Sequence, residues 1–226
     1  MYVENTYSQI MYPGTPELIG SEEDFWVWET DSCSYINTPD GPIRAYKDNN
    51  DKINVIIPHY ENYKLKGTTF DNLTGDCSVI LSSNWNTDPS KHDSQHWIIA
   101  SYTDDGTNVH ALVHNENSSR TNDSEAGEYY STSIVYYSSS DGGATWTRPS
   151  DYVVYSESDN TTGQDQSDVG HGGVEIKSNI IKHNGYYYAL IETGSIEVNN
   201  GRVGQSLTYI IRTNDLSDPN SWRGWD

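Results

Sequence analysis

The sequence predicts an all-β fold. Three observations predict it: short runs in which apolar and polar residues alternate, the Asp, Asn and Gly clusters that bound those runs, and the lack of any window with apolar residues sustained at i, i+3, i+4 and i+7. Composition agrees. Only 34% of the 226 residues are hydrophobic, but 18 are Tyr and 7 are Trp, so the core draws on rings and β-branched residues that suit pleated, half-buried surfaces. The apolar residues are clustered and periodic, which separates this chain from disordered sequences of similar polarity.

Taken in order, residues 1–17 read as an N-terminal extension. They lack the basic and apolar regions of a signal peptide. No apolar run approaches the length of a membrane-spanning helix. Residues 18–226 read as one β domain marked by repeated hairpins. The first runs from Arg44 to Glu61 around Asp48-Asn49-Asn50-Asp51, and the second from Trp97 to Glu116 around Asp104-Asp105-Gly106. A third covers Ser133 to Trp146 and continues to Val154, and a fourth runs from Asn179 to Gly194 around His183-Asn184-Gly185. These turn residues tolerate positive φ, as tight hairpins require.

Repeats at roughly 45–65 residues suit a β-propeller, whose four-stranded antiparallel blades run at about 40–50 residues. The candidate blades are 18–63, 64–118, 127–160 and 174–226. A closed five-bladed ring needs about 225–250 residues before loops. The stretches 117–127 and 157–173 are long and rich in Ser, Asn, Asp and Gly. About four blades are therefore expected, in an incomplete ring of five or more. An open ring exposes sheet edges, so self-assembly or a partner chain that completes it is expected.

The most specific local motif is Ser139-Ser140-Asp141-Gly142-Gly143-Ala144-Thr145-Trp146, which matches the Asp-box pattern Ser-x-Asp-x-Gly-x-Thr-Trp. Its expected role is structural. Asp141 accepts bonds from backbone N–H groups in a turn that includes Gly143, and Trp146 packs between adjacent sheets. With the hairpin repeats and the Arg-containing first blade, this motif resembles the sialidase-like propeller superfamily. A longer series follows in order: Asp31, Cys33, Pro39 to Ala45, His59, Gly75-Asp76-Cys77, Trp97, Ala111 to Glu116, Ser178-Asn179-Ile180, Tyr186 to Leu190 and Ser221-Trp222-Arg223. Over residues 18–226 it resembles a poorly characterised group of bacterial glycosidase-like β-propeller proteins.

That resemblance implies a central funnel lined by the polar ends of the innermost strands. Glycosidases need two carboxyl groups across such a funnel, roughly 5–5.5 Å apart for retention and 6.5–9.5 Å for inversion. The candidate catalytic residues are Asp40, Glu116 and Glu175. Asp40 precedes the first apolar strand, with a turn role in Asp40-Gly41 as the alternative, and Arg44 stands four residues on with a fork suited to a carboxylate or sugar hydroxyl. Glu116 closes His114-Asn115-Glu116, a run of hydrogen-bonding side chains at a strand end; a structural role is its alternative. In the preceding strand, His110, Leu112 and His114 are expected on one face and Val109, Ala111 and Val113 on the other. Related five-bladed glycosidases place an acid shortly before a Gly-Tyr-Tyr-Tyr hairpin, and here Ile176 aligns with that acid, one residue from Glu175. The candidate substrate-binding residues are Arg44, His59, Asp76, His114, Asn115 and Glu192.

Charge narrows the partners. The formal net charge is −20, from 33 acidic and 13 basic residues, which repels nucleic acids and anionic membranes and fits an extracellular or cell-surface protein. Cys33 and Cys77 read as a disulfide in such a setting, or else as two separate thiols. No zinc-site spacing is present and no cofactor is expected. Calcium at Asp104-Asp105 or within Asp159–Asp168 is the alternative to solvated acidic loops. Three functions fit: a secreted glycoside hydrolase acting through paired carboxylates, a non-catalytic glycan-binding propeller, or a structural subunit of a surface layer, fibre or virion.

Overall fold

Runs such as Ile53-Asn54-Val55-Ile56-Ile57 and Trp97-Ile98-Ile99-Ala100 are stiff at χ1 and pack well on a pleated surface, and they form the strands. The computed structural model describes residues 39–84, 86, 89–118, 129–149, 153–156, 170–193, 196–198, 201–203 and 207–224. These residues are all-β, with short 3-10 turns and no α-helix among them.

Most strands fall into three successive antiparallel groups. The first contains β1 (Arg44–Lys47), β2 (Ile53–Ile57), β3 (Glu61–Gly67) and β4 (Thr74–Ser82), hydrogen-bonded in chain order. The second contains β5 (Gln95–Tyr102), β6 (Val109–Ser118), β7 (Tyr129–Ser139) and β8 (Val153–Ser156), again in order. The third begins with β9 (Gly170–Ile176) and β10 (Ile181–His183), which lie along successive parts of β11 (Tyr186–Thr193). A separate hairpin, β12 (Ile196–Val198) and β13 (Gly201–Val203), follows, and then β14 (Leu207–Thr213) and β15 (Arg223–Gly224) complete the group. Residues 170–173 of β9 also pair in parallel with residues 129–132 of β7, which splices groups two and three into one sheet.

The hairpin turns form where the sequence placed them. The hydrogen-bonded grouping differs from the expected division, because the 63/64 boundary falls inside β3. Turn chemistry marks where the chain reverses but not which strands share a sheet, and β3 and β4 complete the group that β1 and β2 begin. The extension 1–17 lies outside the described residues.

Two apolar layers join the groups. Tyr46, Ile56 and Ile80 of group one meet Ile98, Val109, Ala111, Val113, Val135 and Tyr137 of group two. Trp97, Ile99, Leu112 and Ile134 of group two meet Val174, Ile176, Ala189, Ile191 and Ile211 of group three. The alternation expected in β6 is present: Val109, Ala111 and Val113 face one layer and Leu112 the other. A register shift between Ile98 and Ala100 marks a bulge that turns Ile99 and Ala100 together into the second layer.

The turn at 139–146 has the expected structural form. Asp141 Oδ1 accepts from the Ala144 and Thr145 N–H groups at 3.0 and 2.9 Å, and Oδ2 from the Thr145 hydroxyl at 2.6 Å. Burial raises the Asp141 pKa, but the Thr145, Ser139 and Ala144 bonds outweigh it and bring it down to about 2. Gly143 has φ +77°, and a Cβ there would collide with the Tyr46 hydroxyl, which donates to the Gly142 carbonyl. Trp146 is buried in the layer between groups one and two.

Among the described residues β5 ends its sheet, and one edge of its backbone has no strand partner there. Side chains from both neighbouring groups bond that edge. Ser83 Oγ accepts from His96 N–H at 2.8 Å, and Asn62 Nδ2 donates to the His96 carbonyl at 2.8 Å. Asn62 Oδ1 accepts from Ile98 N–H at 2.9 Å, and Asn179 Oδ1 from Ser101 N–H at 2.7 Å. Asn62 is fully buried and also donates to the His59 and Leu81 carbonyls. Asn62→Leu leaves several buried backbone groups unpaired, and we expect it to destabilise the fold by about 3 kcal/mol. Asn179→Leu, which removes one such bond, should cost about 1–2 kcal/mol. Urea unfolding midpoints at constant m-value check both; equal midpoints for Asn62→Leu and wild type contradict the edge-bonding role.

Candidate functional site

Antiparallel pairing brings the end of one strand beside the start of its neighbour. In group two, Gln95 faces Glu116 and Trp97 faces His114. In group one, the β2–β3 turn carries His59 and Tyr60, and Asp40 N–H donates to the Pro58 carbonyl at 3.0 Å. The Asn62 bonds to the His59 and His96 carbonyls join these two strand ends.

Four rings form a continuous series at this junction. His59 and Tyr60 meet edge-on at 4.6 Å, Tyr60 and Trp97 lie 5.5 Å apart, and Trp97 and His114 lie 5.3 Å apart. His114 Nε2 is 3.7 Å from Glu116 Oε2. Trp97 is buried, whereas Tyr60 is 39% exposed. The His114 and Glu116 side chains are partly exposed beside them. A solvent-facing ring, an imidazole and a carboxylate therefore share one surface, with an indole beneath.

The other candidates separate from this cluster. Arg44 opens β1 and is partly buried; its Nη1 donates to its own neighbour's carbonyl, Ile43 O, at 3.3 Å. Burial lowers its pKa, and its Nε has no hydrogen-bond partner among the described residues. Asn115 is fully buried: its Oδ1 accepts from Ser94 N–H and its Nδ2 donates to Ser133 Oγ, so it is a strut and not a ligand group. Glu175 and Glu192 are cross-strand partners that share Lys177, at 2.5 and 3.4 Å. The lysine's pKa is raised: burial works against the charge, but the two carboxylates outweigh it. Asp76 lies in β4 between Gly75 and Val79, away from the Glu61–Ser82 end of the sheet that adjoins His59. Cys77, with φ 65°, is held in a disulfide; Cys33 lies outside the described residues.

The acidic loop considered for calcium is committed within the protein. Asp104 pairs with Lys182 at 2.8 Å and accepts from the Tyr102 and Tyr187 hydroxyls. Asp105 Oδ1 accepts from the Thr107 and Asn108 N–H groups. Asp159–Asp168 lies outside the described residues.

Tyr60 and Trp97 escaped the sequence-based choice of site residues. Tyr60 stands between two polar residues at a strand end, which was a usable signal. Trp97 reads as core from sequence and becomes part of the site only through its cross-strand pairing with His114. Comparison with protein-family models and with curated proteins finds no match for this chain.

His96, next to Trp97 in β5, points to the opposite face of the strand, against Tyr137. It is fully buried, with Nε2 at 3.2 Å from the His92 carbonyl and Nδ1 at 2.9 Å from the Tyr137 hydroxyl. The carbonyl can only accept, so Nε2 carries the proton and Nδ1 accepts from Tyr137. Burial lowers the His96 pKa to about 4, although the His92 carbonyl bond opposes the shift. The unfolded chain takes up this proton near its ordinary 6.5, before the folded one does. The contribution is therefore fully present above that pH and is lost as pH falls toward about 4, a loss of about 3 kcal/mol in all. Urea midpoints measured across this window check it: a His96→Gln chain should show a shallower acid limb than wild type.

Proposed function

We propose that this chain is an extracellular carbohydrate-active protein built on propeller blades, and that it holds a glycan at the surface formed by His59, Tyr60, His114 and Glu116 over Trp97. The observation that carries this reading is the exposed Tyr60 ring beside an imidazole and a carboxylate. Sugars present apolar C–H faces that stack on rings, and hydroxyls that bond to carboxylates and imidazoles. Sites of this kind combine aromatic lining with a few convergent polar groups.

The fold supports the blade reading through its three successive groups and the apolar layers between them. The turn at 139–146, with Asp141 bonded to backbone N–H groups and Trp146 between sheets, behaves as an Asp-box does in the sialidase-like superfamily that the sequence resembles. The Cys77 disulfide supports an oxidising, extracellular setting.

Glycoside hydrolysis is the second reading, and the position of Glu116 favours it. Its side chain is largely sheltered and has His114 beside it, which suits a general acid. Asp40, held at Pro58 next to the His59–Tyr60 turn, is the second carboxylate on this reading. Glu175 fits the role less well because Lys177 holds it.

A glycan array followed by hydrolysis assays on the hits tests both readings. Tyr60→Ala should weaken binding by roughly 10- to 100-fold, as loss of a stacking ring does at an interface anchor. Glu116→Gln should retain binding and abolish any turnover. Binding unaffected by Tyr60→Ala overturns the assigned surface, and turnover unaffected by Glu116→Gln overturns the hydrolase reading.

A further inference from the structure

Around the start of β5 the buried polar side chains have partners. Asn115 Oδ1 accepts from Ser94 N–H and its Nδ2 donates to Ser133 Oγ, and both ring nitrogens of His96 are bonded. Gln95 is different. It is only 4% exposed, yet its side-chain amide has no hydrogen-bond partner among the described residues. Neither amide atom is sealed from solvent, so a buried stem ends in an open polar tip. A buried amide without a partner is destabilising, which makes an open, unpaired tip a place for a ligand to bond. The strand register fixes where the tip lies. Gln95 faces Glu116 and Trp97 faces His114, with no register shift between the two pairs. Residues two apart share a face, and the Trp97 and His114 rings lie 5.3 Å apart, so Gln95, Trp97, His114 and Glu116 stand on one face. Directly opposed side chains have Cβ atoms about 4.5–5.5 Å apart, which sets the Gln95 amide beside the Glu116 carboxylate.

We propose that Gln95 is a ligand-binding residue of this surface, and that with Glu116 it holds two neighbouring hydroxyls of one sugar unit. The inference rests on the glycan reading of the surface at Tyr60. A carboxylate only accepts, whereas a carboxamide donates and accepts on one plane, and a hydroxyl does both. One hydroxyl can accept from Gln95 Nε2 and donate to Glu116. It leaves Gln95 Oε1 without a donor, and an adjacent hydroxyl supplies one. A pair of hydroxyls on neighbouring ring carbons thus satisfies both side chains together. A ring held this way has its C–H face free to stack on the exposed Tyr60 ring, which adjoins Trp97 on the same surface. Sites built to bond a hydroxyl discriminate strongly against analogues that lack it, because the protein group is then left unpaired.

NMR titration of the full chain with the methyl glycosides of glucose, galactose and mannose, and with their monodeoxy forms, tests the proposal. The Gln95 side-chain NH2 signals are those missing from Gln95→Met, which keeps the length of the side chain and removes both polar atoms. Should that variant fold poorly, Gln95→Glu also lacks the NH2 group and gives the same assignment. The expected result is that the Gln95 and Tyr60 side-chain signals shift together on binding. Removing either hydroxyl of one adjacent pair should weaken binding roughly 10-fold in wild type and little in Gln95→Met, a coupling that a purely structural role does not produce. Tyr60 signals that move while those of Gln95 stay fixed overturn the proposal and leave the glycan reading standing. Equal deoxy losses in wild type and Gln95→Met overturn it as well. Silence of both sets of signals with all three glycosides overturns it together with the glycan reading for hexoses.

Discussion

The free backbone edge of β5 is the constraint on which the rest of the structure depends. An edge strand buried between two sheets must find partners for each inward-turned N–H and C=O, since an unpaired buried amide is among the more destabilising defects a fold can carry. Here those partners are side chains: Asn62 and Ser83 from one side, Asn179 from the other. An amide side chain offers a donor and an acceptor on one rigid plane and so mimics a missing strand residue. Asn62 does this most fully, bonding both the His96 carbonyl and the Ile98 N–H. The neighbouring groups are thereby fixed against β5 in one register, and the apolar layers on its two faces are held in place.

The candidate site inherits that fixity. Trp97 and His96 belong to β5, His114 and Glu116 to the strand paired with it, and His59 and Tyr60 to the turn whose His59 carbonyl Asn62 also bonds. Rings contributed by two strand groups can keep the Tyr60–Trp97–His114 contacts only if the groups do not slide. His96, on the opposite face of β5 from Trp97, is a neutral, buried anchor bonded to the Tyr137 hydroxyl and the His92 carbonyl. The surface that meets a ligand is thus supported by the same bonds that close the strand edge.

Much of the local structure was legible in the sequence, and the reason is chemical. Asp48 to Asp51, Asp104-Asp105-Gly106 and His183-Asn184-Gly185 mark reversals because those residues accept positive φ, as Asp51, Gly106, Asn184 and Gly185 do. Period-two alternation gave the two faces of β6. The role of Asp141 followed from the spacing of its own turn. What could not be read were the contacts between distant segments. Nothing local distinguishes Asn62 and Asn179, which bond a buried strand edge, from the many Asn residues in loops. Asn115 looked like its exposed neighbours His114 and Glu116, yet the alternation of the strand turns it inward. Glu175 and Glu192 are 17 residues apart in sequence, and only the β9–β11 register shows that one lysine serves both. The parallel splice between β7 and β9 has no signature in either segment.

That splice makes the molecule mechanically uneven. Groups two and three share a continuous ladder of backbone hydrogen bonds, so pulling them apart means breaking a sheet. Group one meets group two without such a ladder, through an apolar layer and a limited set of side-chain and turn bonds. Its seam is the softer of the two, and it runs between Tyr60 and Trp97. The Asn62 and Ser83 bonds that cross it therefore do the work that a shared ladder does at the other seam, and the spacing of the Tyr60 and Trp97 rings is set by side chains and not by strand pairing.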